Sequence, residues 1–175
     1  MVFRKQAFIL EVIRVLQLNK SAVGRNNIQK ALFFINETAS FKSPFDFVLH
    51  RQSPHSFDLD SEIDEMKTNS TLISRPSPGY GDELLAGVNA PVVVGRSPLL
   101  PTEKQSVAAV GEFVGRKTVE ELEKIAAVVW VRSRERLWDR MQVANRVNAL
   151  KPHISIVEAL AADGIVASRL KLTNK

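Results

Sequence analysis

Five of the chain's eight prolines and four of its eight glycines fall between residues 76 and 101. Proline lacks a backbone N–H and fixes its φ angle, and glycine costs a helix interior conformational entropy, so long helices belong outside this segment. On its N-terminal side, residues 3–18 place Phe8, Val12, Val15 and Leu16 at helical spacing, with Ile9 and Ile13 widening the stripe. The run IQKALFFINE predicts a second helix with Ile28, Leu32 and Ile35 on one side. Phe45, Phe47 and Leu49 alternate and predict a short strand. Ser53-Pro54 marks a turn, after which Leu59, Ile63 and Met66 line one face of a third helix. Ile28, Leu32, Leu59 and Ile63 are expected in one core. TLIS at 71–74 predicts a strand and Pro78-Gly79 a turn, so the proline-rich segment reads as a wing-like hairpin and then a linker holding the short apolar piece PVVV.

Beyond the prolines, Thr102 with Gln105, Thr118 with Glu121 and Ser155 with Glu158 match the capping box, in which two side chains satisfy free N–H groups at a helix start. Leu122, Ile125, Ala126 and Val129 form a core stripe on the second of these helices, and Leu137, Met141 and Ala144 on a following one. The expected fold is mainly α with a small β-hairpin or wing. It divides into a winged-helix-like part at 1–90, a linker at 91–101, and a helical extension at 102–175.

Composition narrows the chemistry. The chain has no cysteine, which excludes disulfides and thiolate metal sites and fits a reducing cytoplasm. Its longest apolar run, IAAVVWV, is far short of the roughly 20 residues that span a bilayer, so no membrane role is expected. The net charge of +5 permits nucleic acid or an acidic partner. That charge is unevenly placed: residues 1–30 carry six basic side chains against Glu11, whereas 46–83 carry eight acids against three bases.

The stretch HRQSPHSFDLDSEIDEM (50–66) invites a metal or catalytic reading. However, His50 and His55 share no helix with a further ligand, and His153 is far along the chain. Asp58, Asp60, Glu62, Asp64 and Glu65 read instead as the wet face of the third helix, with its early acids at the positive end of the helix dipole. No nucleophile elbow or phosphate loop is present in the sequence, so no catalytic residue, cofactor or metal is expected. A basic array remains. Arg132, Arg136 and Arg140 recur every four residues; on one helix they form either a phosphate-binding stripe or an ordinary solvated face paired with Glu135 and Asp139.

GRNNIQKALFFI, with Arg25 and Lys30, resembles a helix of the YwgA-like proteins and of the wider Panacea (SocA-like) antitoxin group. In that group the helix leads to a strand, a tyrosine-glycine-proline-tyrosine-serine turn and a further helix. Pro54, Ser56, Leu59, Glu62, Ile63 and Met66 match this pattern; Gln52, Ser53 and His55 stand where the group has tyrosine, glycine and tyrosine. ALKPHIS at 149–155 is similar to the lysine-proline element that introduces the group's last helix.

The resemblance implies a winged-helix-related fold and neutralisation of a protein by direct contact. The expected function is therefore a non-enzymatic, antitoxin-like interaction module with a protein partner; the alternative is a winged-helix DNA-binding regulator. A homodimer stays open. Candidate contacts to a partner or nucleic acid are Arg25, Lys30, Arg132, Arg136 and Arg140, and the candidate turn site is Pro54, His55 and Ser56.

Overall fold

Helix α1 (Val2–Leu18) carries apolar residues on nearly every side, and Ala7, Phe8, Ile9, Leu10, Val12, Ile13, Val15 and Leu16 are all buried. A helix apolar on most of its sides must be covered on those sides. In the computed structural model, which describes residues 2–78 and 81–172, four other helices pack against it. Helix α2 (Arg25–Thr38) adds Ile28, Leu32, Phe33, Phe34 and Ile35, each fully buried.

A hairpin follows, of β1 (Val48–His50) and β2 (Ser53–His55), with His50 paired to Ser53 and Val48 to His55. The strand begins at Val48; Phe45 and Phe47, expected within it, are buried in the approach to it. Helix α3 (Phe57–Thr68) starts at Ser56, whose hydroxyl accepts the Leu59 N–H. Its Leu59, Ile63 and Met66 are fully buried, as their spacing predicts.

Strands β3 (Leu72–Ser77) and β4 (Gly81–Ala86) form the second antiparallel hairpin. Pro76 is tolerated because both strands of a two-stranded ladder are edges. The turn expected at Pro78-Gly79 runs into residues 79 and 80, which lie outside the described residues, as do 173–175 of the expected extension. Gly87 then crosses the end of α3 so closely that a Cβ there would sit 2.2 Å from the Ser70 carbonyl oxygen.

The stretch read as a linker holds most of helix α4 (Ala90–Arg96), which buries Ala90 and Val93. Pro91 sits in its first turn, where a missing N–H costs nothing. Helices α5 (Pro101–Gly115), α6 (Val119–Ser133), α7 (Arg140–Leu150) and α8 (Ile156–Arg169) complete the chain. Among the described residues the architecture is eight helices with two small antiparallel hairpins, and no helix is long and apolar enough to cross a membrane.

The boxes at Thr118–Glu121 and Ser155–Glu158 form in both directions. The one expected at Thr102 does not: Pro101 begins α5 a residue earlier, and Glu103 accepts the Leu100 N–H at 2.8 Å. Helix α7 also starts later than its expected stripe. Asp139 caps it through the Gln142 N–H, so Leu137 precedes the helix and Met141 is exposed, while Val143, Ala144 and Val147 are the buried positions.

Candidate functional site: the face of the first hairpin

The turn of the β1–β2 hairpin is made by Arg51 and Gln52, with φ angles of 45° and 62°. Two successive left-handed residues belong to the tight hairpin turn that normally selects asparagine and glycine. Holding two long side chains there is a local strain that surrounding contacts must sustain.

Helix α2 holds the residues that follow the turn. Gln29 accepts the Ser56 N–H at 3.0 Å and donates to the Ser56 carbonyl at 2.9 Å. One turn earlier, Arg25 reaches Asp60 at 3.2 Å and Asp64 at 2.5 Å. Lys30 Nζ donates to Ser53 Oγ at 2.7 Å. Three side chains of the GRNNIQK stretch thus grip the hairpin and the following helix. Pro54 and Ser56 are buried beneath this grip, and His55 is half-buried with its Nε2 2.9 Å from Asp60.

The acids of α3 are therefore not simply a wet face. Lys5 pairs with Asp58, and that hydrogen bond raises the Lys5 pKa. Arg25 holds the Asp64 carboxyl below its usual range. Glu62 is buried, and burial raises its pKa against the hydrogen bond that it accepts from Gln6 at 2.9 Å. Two of the six basic side chains of residues 1–30, Lys5 and Arg25, are thus paired with these acids. The exposed positions left on α3 include Asp58, Ser61, Asp64 and Glu65.

Strand alternation puts Val48, His50, Ser53 and His55 on one face of the hairpin. There His50, His55 and Phe57 form a ring cluster with centroids 4.8–5.5 Å apart. Phe57 is 55% exposed and Val48 51%, so this is an apolar and aromatic surface set on a braced support. The two histidines meet each other here, yet among the described residues no group of three or more His, Asp or Glu side chains is placed to hold a metal ion.

Beside the same face lies a cluster drawn from distant parts of the chain. Lys151, at the end of α7, is buried and pairs with Glu123 of α6 at 2.6 Å, and His153 Nε2 lies 3.2 Å from the same carboxylate oxygen. Burial works to raise the Glu123 carboxyl, but the hydrogen bonds from Lys151 and His153 outweigh it and hold the group below its ordinary range. Burial, and then repulsion from Lys151, pushes the half-buried Lys30 down to about 8, with Glu123 acting the other way.

The arginine array takes a different form from the expected stripe. Helix α6 ends at Ser133, Arg136 has a φ of 57° in the connecting loop, and Arg140 opens α7. Arg132 and Arg140 converge instead on Asp163 of α8, a fully buried carboxylate. Arg132 binds it through two bonds of 2.6 and 2.9 Å, and Arg140 through one of 3.3 Å. Arg132 also lies 5.8 Å over the Trp138 ring. Glu135 and Asp139, expected as local partners, are engaged by Arg146 and by the α7 backbone.

Asp163, Glu123 and Lys151 were not among the site residues expected from sequence. A buried charge inside an apolar stripe, as in VEALAADGIVA, is the one local signal that could have singled out Asp163. No family model matches the chain, and no curated protein matches it.

Proposed function

We propose that the protein is a non-enzymatic interaction module, antitoxin-like in the sense of the YwgA and Panacea resemblance, that grips a protein partner with the face of its first hairpin. The observation that carries this reading is the His50–His55–Phe57 ring cluster beside a strained turn, on a hairpin and following helix held by Arg25, Gln29 and Lys30. Aromatic groups with little conformational freedom to lose are the residues that dominate protein interfaces. Strain kept at a surface turn marks a place where shape matters more than stability.

In the same reading α1, α2, α3 and the β3–β4 hairpin form a winged-helix-like unit, and α5 to α8 are its helical extension. A DNA-binding role has less support. Helix α3 would be the recognition helix, and its exposed Asp58, Asp64 and Glu65 would repel phosphate. Arg25, Arg132 and Arg140, which could have offset that, are engaged with carboxylates.

The test is capture from the native host with the wild type and with a Phe57→Ala/His50→Ala variant. A stoichiometric protein retained by the wild type and lost by the variant is the expected result. Equal capture by both would overturn the assignment of the face. Recovery of a second copy of this chain would make the face a homodimer contact. Tight, steeply salt-dependent retention of duplex DNA would restore the regulator reading.

A further inference from the structure

We propose that Lys30, with Ser53 beside it and Lys151 behind it, is a recognition point for a carboxylate, and that the partner's anchoring group is an acidic side chain. This deepens the interaction reading and rests on it.

The charge balance of the cluster points to a single negative charge. Lys30 and Lys151 bring two ammonium groups to one carboxylate, Glu123, which is already taken at 2.6 Å by Lys151 and approached at 3.2 Å by His153. Lys30, Lys151 and Glu123 bring two positive charges and one negative together, an excess of one positive charge. An ammonium has three N–H donors, and among the described residues the Lys30 ammonium has one hydrogen-bond partner, Ser53 Oγ. Two donors therefore remain for an incoming group. A half-buried cation in this position is costly unless paired, and a bound anion removes that cost.

The other charged groups nearby do not supply the missing partner. Asp60 of α3 is engaged by Arg25, Gln29 and His55, and Arg51 at the hairpin tip is a further cation. A carboxylate neutralises the excess of one. A phosphate dianion would carry more negative charge to a site that already holds the Glu123 carboxylate. Because Ser53 shares its hairpin face with His50 and His55, an acidic residue seated on Lys30 would place its neighbours against the aromatic cluster.

The experiment follows the side-chain NMR signal of Lys30 from neutral to alkaline pH, in sodium acetate and in sodium chloride of equal ionic strength, with inorganic phosphate as a third arm. The expected result is a saturable shift of the Lys30 signal in acetate, and a titration midpoint higher by about half a pH unit or more, a roughly threefold tighter proton. The Lys30→Met variant should leave the remaining lysine signals indifferent to acetate. Identical Lys30 titrations in acetate and chloride, or the saturable shift at a different lysine, would overturn the site. Saturation by phosphate at a tenfold lower concentration than acetate would overturn its assignment to carboxylates. The acetate response does not depend on partner capture: loss of the response with capture intact sinks this inference alone, and the reverse pattern sinks the interaction reading alone.

Discussion

Gln29 and Ser56 bind one another in both directions: the Gln29 amide donates to the Ser56 carbonyl at 2.9 Å and accepts the Ser56 N–H at 3.0 Å. A side-chain amide imitates a neighbouring strand here, closing the chain just where the hairpin ends and α3 begins. Both residues are buried, so removing the amide strands two backbone groups away from water. Gln29→Leu should cost about 2–6 kcal/mol, since each of the two unsatisfied groups costs roughly 1–3 kcal/mol. Gln29→Glu should also destabilise, because it loses the donor and puts a second carboxylate beside Asp60. Urea unfolding of both variants checks this; wild-type midpoints would show that the clamp is dispensable.

The Arg132–Asp163 pair gives a contrast within one cluster. Asp163 is fully buried and Arg132 nearly so, whereas the Arg140 side chain is 65% exposed. Arg132→Gln should cost about 3–5 kcal/mol, the range for breaking one side of a buried ion pair. Arg140→Gln should cost under about 1 kcal/mol, as exposed pairs do. Thermal unfolding of the two single variants decides it, and equal losses would mean that burial does not govern this cluster.

Lys30 makes stability depend on alkaline pH. Its folded pKa is lowered to about 8 from an ordinary 10.5, so between those values the unfolded chain binds more protons than the folded one. Stability from this group therefore rises as pH climbs from about 8 towards 10.5, and below 8 the penalty of the buried charge is fully present. Lys30→Met removes the dependence. The difference in unfolding free energy between wild type and variant, followed across that window, should move in favour of the wild type as pH rises; a flat difference would contradict the lowered pKa.

Two glycines should respond in opposite directions to alanine. At Gly87 an added Cβ would lie 2.2 Å from the Ser70 carbonyl oxygen, which is backbone and cannot swing aside. Gly87→Ala should destabilise by about 1–3 kcal/mol, the usual cost of overpacking. At Gly164, within α8, a Cβ would meet nothing within 4 Å, so Gly164→Ala should stabilise the helix by about 0.5–1 kcal/mol. Melting temperatures of the pair report both signs.

What could be read in the sequence follows the range of the interaction. The caps at Thr118 and Ser155 are settled by residues three apart, and the stripes of α1, α2 and α3 by spacing within one helix, so local pattern was enough. The arginine array failed because nothing as blunt as proline or glycine ends α6 at Ser133. The subtler signal was present in Asp139 followed three residues on by Gln142, which caps α7 and breaks the apparent period. The Lys30–Lys151–Glu123 cluster joins three distant segments, and no spacing encodes it. The same holds for the acids of α3: their positions were legible, but their pairing with Lys5, Gln6 and Arg25 depends on how α1 and α2 pack.

The burial of α1 over most of its surface has a consequence for synthesis. Its cover includes α5, whose last residue, Gly115, comes about a hundred residues after the end of α1. At translation rates of roughly 5–20 residues per second, the ribosome needs about 5–20 seconds to make that stretch. Throughout that interval Phe8, Ile9, Val12 and Ile13 belong to a helix without its full set of neighbours. A chain stalled before residue 101 should therefore be cut by protease within α1 where the finished protein resists.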